Sequence, residues 1–240
     1  MGRDAETDRV IEEAIVTLRN QGAVIVDPIA IPDYVLQARQ GIFNTIRNAE
    51  FKAQIADYLR TLKPGYPKTL EELASKANDP QAGYRSPGKA FGLKYSTTIS
   101  LGLDDPLYLA AKNEGMAFIK SNVEALFSRH QLDVILYPTA SQPATLVIPV
   151  PEVPKGSGSA RSAANVGAGS PLNLANLSGF PDLVVPAGMT KEGLPVAISF
   201  LGLAFTEPKL LGYGYDFEQA TSARVLPKYT PALAGDVIVY

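Results

Sequence analysis

The side chains able to do covalent chemistry are few. Cysteine is absent and His130 is the only histidine in 240 residues, so thiolates, disulfides and metal sites built on His and Cys are excluded. His130 closes a long helical pattern at Ser128-Arg129-His130, where it reads as a cation near a helix C-terminus. Hydrolysis at neutral pH needs an activated nucleophile, a base within hydrogen-bond reach and donors for the oxyanion. Ser178 comes closest to a nucleophile, in Asn176-Leu177-Ser178-Gly179, but it follows a short helix and precedes a strand. Lys191 and Lys209 stand in solvated contexts. Glu71-Glu72 and Asp104-Asp105 read as the acidic starts of helices rather than as paired catalytic acids. Gly156-Ser157-Gly158-Ser159 is not a phosphate loop, because that loop needs Gly-Lys-Ser/Thr at its end and Lys155 precedes the glycines.

The elements that must position these groups follow from periodicity. Residues 4–20 predict an amphipathic helix with Val10, Ile11, Ala14, Ile15 and Leu18 on one face, ended by Gly22. Ala23-Val24-Ile25-Val26 is a continuous apolar run suited to a strand buried on both faces. Helices are predicted over Tyr34 to Ile46, Glu50 to Leu62 and Thr69 to Lys76, with Thr69 and Glu72 as a capping box. Residues 78–90 read as a loop by Pro and Gly content. Pro106 opens a helix of roughly 24 residues. It leads into Asp133-Val134-Ile135-Leu136-Tyr137-Pro138-Thr139, the pattern of a buried parallel strand with Pro138 at its end. Loops after the C-terminal ends of such strands face the ligand crevice, which marks Tyr137 and Thr139 as pocket candidates.

Residues 141–170 form a Pro-stiffened, then Gly/Ser/Ala-rich stretch, expected to be a flexible loop. Beyond it come a short helix over Leu172 to Leu177, strands at Leu183-Val184-Val185 and Val196 to Leu201, and a last helix capped by Thr206. Gly212 and Gly214 each weaken that helix by ~1 kcal/mol relative to Ala, which a close helix–sheet contact would offset. The expected fold is a single α/β domain over 1–240: a mixed β-sheet from strands near 23–27, 133–137, 183–186 and 195–201, covered by the helices at 106–129 and 206–222.

Composition sets the remaining bounds. Hydrophobic residues are 46%, charged residues 19% and net charge −2. The chain can bury a sizeable core, and it lacks the basic footprint of nucleic-acid or anionic-membrane binding. No apolar run reaches the ~18 residues of a spanning helix. The N-terminus MGRDAETDRV has no apolar signal-peptide core, so a cytoplasmic protein is expected.

Asn176 to Pro181 (NLSGFP), Val185-Pro186-Ala187-Gly188, Gly193-Leu194-Pro195-Val196 and the run Leu210 to Thr221 resemble, by their joint spacing, the closing segment of the amidase signature family. DVILYPT is similar to that family's strand motif, and residues 5–27 look like its helix–strand unit just after the catalytic region. Tyr213 to Glu218 leans toward peptide-amidase-like members. The resemblance covers 5–27 and 106–221; residues 33–100 match in character alone.

The resemblance implies an amidase signature fold and carboxamide hydrolysis by a Ser–Ser–Lys triad, with no cofactor. The GGSSGGS-type segment, the second glycine-flanked Ser and the Lys base are not in this sequence. The chain is therefore expected to be the C-terminal half of such an enzyme, inactive alone, with no catalytic residue of its own. On that reading Tyr137, Thr139, Asn173 and Asn176 shape a substrate pocket without attacking the substrate. The implied partners are a small amide substrate once the catalytic half is supplied, and an N-terminal amidase half or a second copy against the exposed core. Two alternatives stand beside it: a stand-alone, non-catalytic α/β binding or assembly protein, and a fragment of the tRNA-dependent amidotransferase subunit that shares the signature.

Overall fold

The computed structural model describes residues 4–84, 86–144 and 173–226; most of the Gly/Ser-rich stretch, including Lys155 to Ser159, lies outside them. Helix α1 (Ala5–Asn20) begins where Asp4 accepts from the Thr7 N–H at 2.7 Å. It ends at Gly22, whose φ of +98° few other residues adopt. Val10, Ile11, Ala14 and Leu18 are buried along one stripe.

Helices α2 (Asp33–Arg60), α3 (Leu70–Asn78) and α4 (Pro87–Ile99) follow. The break expected between 46 and 50 does not occur. Arg47-Asn48-Ala49 holds no Pro or Gly, and Ala49 is buried, so one helix of 28 residues runs through. Thr69 caps α3 by accepting from Glu72 N–H at 3.1 Å, while the Glu72 carboxylate accepts from Lys68 N–H at 2.7 Å, one residue before the cap. Pro87 starts α4 inside the stretch read as loop, a position that suits proline.

The long helix from Pro106 is interrupted. α5 (Pro106–Ala110) passes through a π-helical turn, Ala111–Gly115, into α6 (Met116–His130). At Gly115 a β-carbon would stand 2.9 Å from Ile42 Cγ1, so the extra residue in this turn sits where α2 passes close by.

Strands β1 (Ile135–Pro138), β2 (Asp182–Met189) and β3 (Pro195–Leu201) form one sheet in the order β1-β3-β2. Helix α7 (Leu174–Ser178) precedes β2 and helix α8 (Glu207–Thr221) follows β3. DVILYPT and LVV share the sheet as expected, but both outer strands pair antiparallel with β3. The parallel reading fails because a continuous apolar run records only that both faces are covered. They are covered here: β1 and β3 send Tyr137 and Leu201 into a core with Val35 of α2, Ile119, Val123 and Phe127 of α6, and Leu177 of α7. On the other face Ile198 and Phe200 meet Val10 and Ile11 of α1 and Leu210 and Phe217 of α8.

Residues 23–27 are a second correction. They form no strand among the described residues, and Val24 is 92% exposed. An apolar run becomes a strand only beside a neighbouring edge, and none of the described strands lies against it. Thr206 is a third: its hydroxyl donates to Leu203 O at 2.6 Å rather than capping α8.

Candidate functional site

The strand register assembles a polar cluster on the sheet face toward α6 and α7. Tyr137 pairs with Ser199, and Ile135 pairs across β3 Leu201 with Asp182 of β2. Since side chains alternate along a strand, Tyr137, Thr139, Ser199 and Asp182 share one face. The Tyr137 hydroxyl reaches over β3 and donates to Asp182 Oδ2. The Thr139 and Ser199 hydroxyl oxygens are hydrogen-bonded at 2.9 Å. Asp182 Oδ1 is buried with no partner among the described residues.

Burial sets the protonation of this cluster. It pushes the Tyr137 phenol well above its usual range, and the adjoining Asp182 carboxyl adds to the shift. Burial also raises Asp182, with the Tyr137 and Ser199 hydroxyls pulling the other way. A tyrosine held neutral and a carboxyl inclined to keep its proton are hydrogen-bonding groups, not a nucleophile and base.

The other residues singled out by sequence lie apart. Asn173 is buried at the start of α7, where its backbone carbonyl accepts from Leu177 N–H at 3.1 Å. Asn176 is exposed on α7 beside a separate cavity of about 240 Å³ between α2 and the π-turn, with Glu50 and Lys112 in its wall. Ser178 is buried, its hydroxyl donating to Leu174 O at 2.6 Å, so no base activates it there. Lys191 and Lys209 are solvated and pair with Glu6 at 3.1 Å and Asp133 at 3.6 Å. His130 is the last residue of α6. Among the described residues no cluster of His, Cys, Asp and Glu could hold a metal ion, and no helix is long and apolar enough to cross a membrane.

Sequence reasoning missed Asp182, Ser199 and Arg39. Ser199 carried a usable signal: between Ile198 and Phe200 it is the polar position of an alternating strand. Asp182 lies between Pro181 and the strand expected from Leu183, where the apolar pattern does not mark it. Arg39 is fully buried in α2, and its three guanidinium nitrogens have no acceptor among the described residues. A larger cleft, about 1130 Å³, separates α1 and residues 22–31 from β1.

Helices on both faces of a sheet that carries this polar cluster define an α/β scaffold. The family model for amidases matches residues 2–211, and the chain belongs to the amidase signature family. An Arabidopsis thaliana protein named as a probable amidase is 26% identical over 224 residues, which are 92% of this chain and 38% of the relative. A glutamyl-tRNA(Gln) amidotransferase subunit of Desulfotalea psychrophila is 30% identical over 224 residues, 91% of this chain and 42% of the relative. The structure of native peptide amidase from Stenotrophomonas maltophilia superposes with a TM-score of 0.68 at 29% identity, covering 93% of this chain and 42% of that one. The chain thus spans about two-fifths of the length of the proteins it matches.

Proposed function

We propose that this chain is the C-terminal part of an amidase-signature amide hydrolase, supplying scaffold and one pocket wall to a nucleophile and base carried on polypeptide outside it. The observation behind this reading is the coverage: nine-tenths of this chain aligns with the peptide amidase, yet 42% of that enzyme is accounted for. The site agrees in kind. Its hydroxyls are neutral and mutually bonded, and Ser178 is spent on a helix carbonyl. A carboxamide or peptide amide is the substrate class, with Tyr137 and Thr139 on the wall nearest the sheet.

The test is to purify the 240-residue chain and assay peptide amides and aryl amides, alone and with an N-terminal amidase half added. Activity in the mixture alone supports the proposal. Turnover by the isolated chain that Ser178→Ala abolishes would show a nucleophile this reading denies. A second reading, a fragment of a tRNA-dependent amidotransferase, draws on the 30% identity to the Desulfotalea protein. A glutaminase assay with the same added half separates the two.

A further inference from the structure

We infer that the cavity of about 240 Å³ between α2, the π-helical turn and α7 is a binding site for a small carboxylate with an apolar body. Hydrolysis of a carboxamide releases such an acid, so the ligand class rests on the amide-hydrolase reading for its meaning. The site itself is built from this chain alone.

Its floor is apolar. Phe43 and Ile46 of α2, Met116 at the start of α6 and Leu177 of α7 line it. Ile46 and Leu177 are fixed in the core, while Met116 is unbranched and adapts to the shape of what it meets. The volume lies just below the roughly 300–1,000 Å³ of sites for drug-sized ligands. It suits a chain or ring of a few carbons and is too small for a peptide of several residues.

The mouth selects the charge. Arg47, Glu50, Lys112 and Asn176 complete the wall, two cations against one carboxylate. Glu50 Oε1 is already committed: it accepts from Lys112 Nζ at 2.7 Å and from the Tyr108 hydroxyl at 3.1 Å. An ammonium carries three N–H donors, and Lys112 spends one of them there. Its side chain is 41% exposed, which leaves the others within reach of a ligand. The Arg47 guanidinium lies over the Phe43 ring, 5.6 Å from its centroid, and its Nε and Nη2 donate to Asn48 Oδ1. Nη1 is left for an incoming acceptor. Asn176 is exposed and adds a carboxamide donor.

A carboxylate entering here meets donors from three elements, beside a Glu50 whose charge Lys112 already balances. An ammonium group would face two cations instead, and a neutral amide would gain weaker hydrogen bonds than an ionised acceptor. Lys112 stands within the π-helical turn and Met116 directly after it. Single turns of this kind recur at functional sites, where the extra residue re-aims neighbouring side chains.

The experiment titrates the 240-residue chain, labelled with ¹³C at its methionine methyls, with sodium hexanoate, hexanamide and hexylammonium chloride. The three probes share an alkyl chain and differ in head group. Hexanoate should shift the Met116 methyl, leave that of Met189 in place, and bind at least about tenfold more tightly than the other two. Arg47→Gln should weaken hexanoate about tenfold while leaving hexanamide binding and the unfolding midpoint unchanged, because Arg47 is exposed. If that variant unfolds more easily, Asn176→Leu repeats the test from another exposed position. A Met116 methyl unmoved by hexanoate overturns the inference. So does hexanamide or hexylammonium binding as tightly as hexanoate, and so does hexanoate affinity that neither substitution changes.

With an N-terminal amidase half added, competition between hexanoate and the amide substrate would identify the ligand as the acid product. Binding without competition would identify a separate effector; the site stands in both cases. Hydrolysis with an unmoved Met116 methyl leaves the enzyme reading standing without this site. A shifted methyl without hydrolysis does the reverse.

Discussion

A β-carbon on Gly214 would stand 2.4 Å from Leu183 Cδ2 and 3.4 Å from Val185 Cγ1, so α8 lies on β2 at a distance only glycine permits. Gly212, on the same helix, has nothing within 4 Å. The two glycines look alike in sequence and differ in cause. Gly212→Ala should stabilise the chain by about 1 kcal/mol through helix propensity. Gly214→Ala should destabilise it by about 1–3 kcal/mol, because Leu183 or the helix must move. Urea unfolding midpoints check the pair; shifts of the same sign would refute the contact.

Tyr137→Phe should destabilise the fold by about 1–3 kcal/mol, since it removes the phenol that donates to Asp182 Oδ2 in a largely desolvated cluster. Asp182→Asn tests the charge. The folded state holds the Asp182 proton more tightly than the unfolded chain does, so its contribution is most favourable below the ordinary carboxylate pKa. Stability should fall as pH rises from that value through the raised one. The Asn variant should lack this slope when unfolding midpoints are followed from acid to neutral pH.

Glu6 titrates in the opposite sense. Arg9 first, then the Lys191 N–H, lowers it from 4.5 to about 2. Its carboxylate accepts from Lys191 N–H at 3.0 Å, and Arg9 donates to Met189 O at 3.0 Å, which ties the start of α1 to the β2–β3 turn. The unfolded chain binds the Glu6 proton first as pH drops. This contribution is therefore complete above the unfolded pKa and disappears between about pH 4.5 and 2. Glu6→Gln should lack that part of the acid limb, read as the difference in unfolding midpoint across the window.

What could be read from sequence follows from which interactions are local. The α1 stripe, the Thr69 cap and the strand at DVILYP were legible because neighbouring residues decide them. The run 23–27 was not, because its apolar pattern states a burial requirement and not which edge meets it. The antiparallel sense of β1 is hidden for the same reason. Tyr137 and Thr139 were visible at a strand end. Their partners Asp182 and Ser199 are 45 and 60 residues away in the chain, and register alone brings them together.

Arg39 gives the sharpest test of the energetics. It follows Val35 by one helical turn and precedes Ile46 and Ala49 on the same buried stripe of α2. Its exposure is 0%, and Nε, Nη1 and Nη2 have no acceptor among the described residues. Burial lowers its pKa, with no opposing contribution from a carboxylate. A guanidinium in that position loses its hydration and regains nothing for it. Methionine has a similar reach, fills irregular space and carries no charge. Arg39→Met should therefore stabilise the isolated chain by about 1–4 kcal/mol, the range seen when buried ionic groups give way to apolar ones. Arg39→Lys should give no such gain, because the charge remains. Denaturant unfolding of the three proteins at neutral pH measures both differences. Loss of stability in the Met variant would mean that Arg39 meets an anionic group in solution, supplied by residues outside those described.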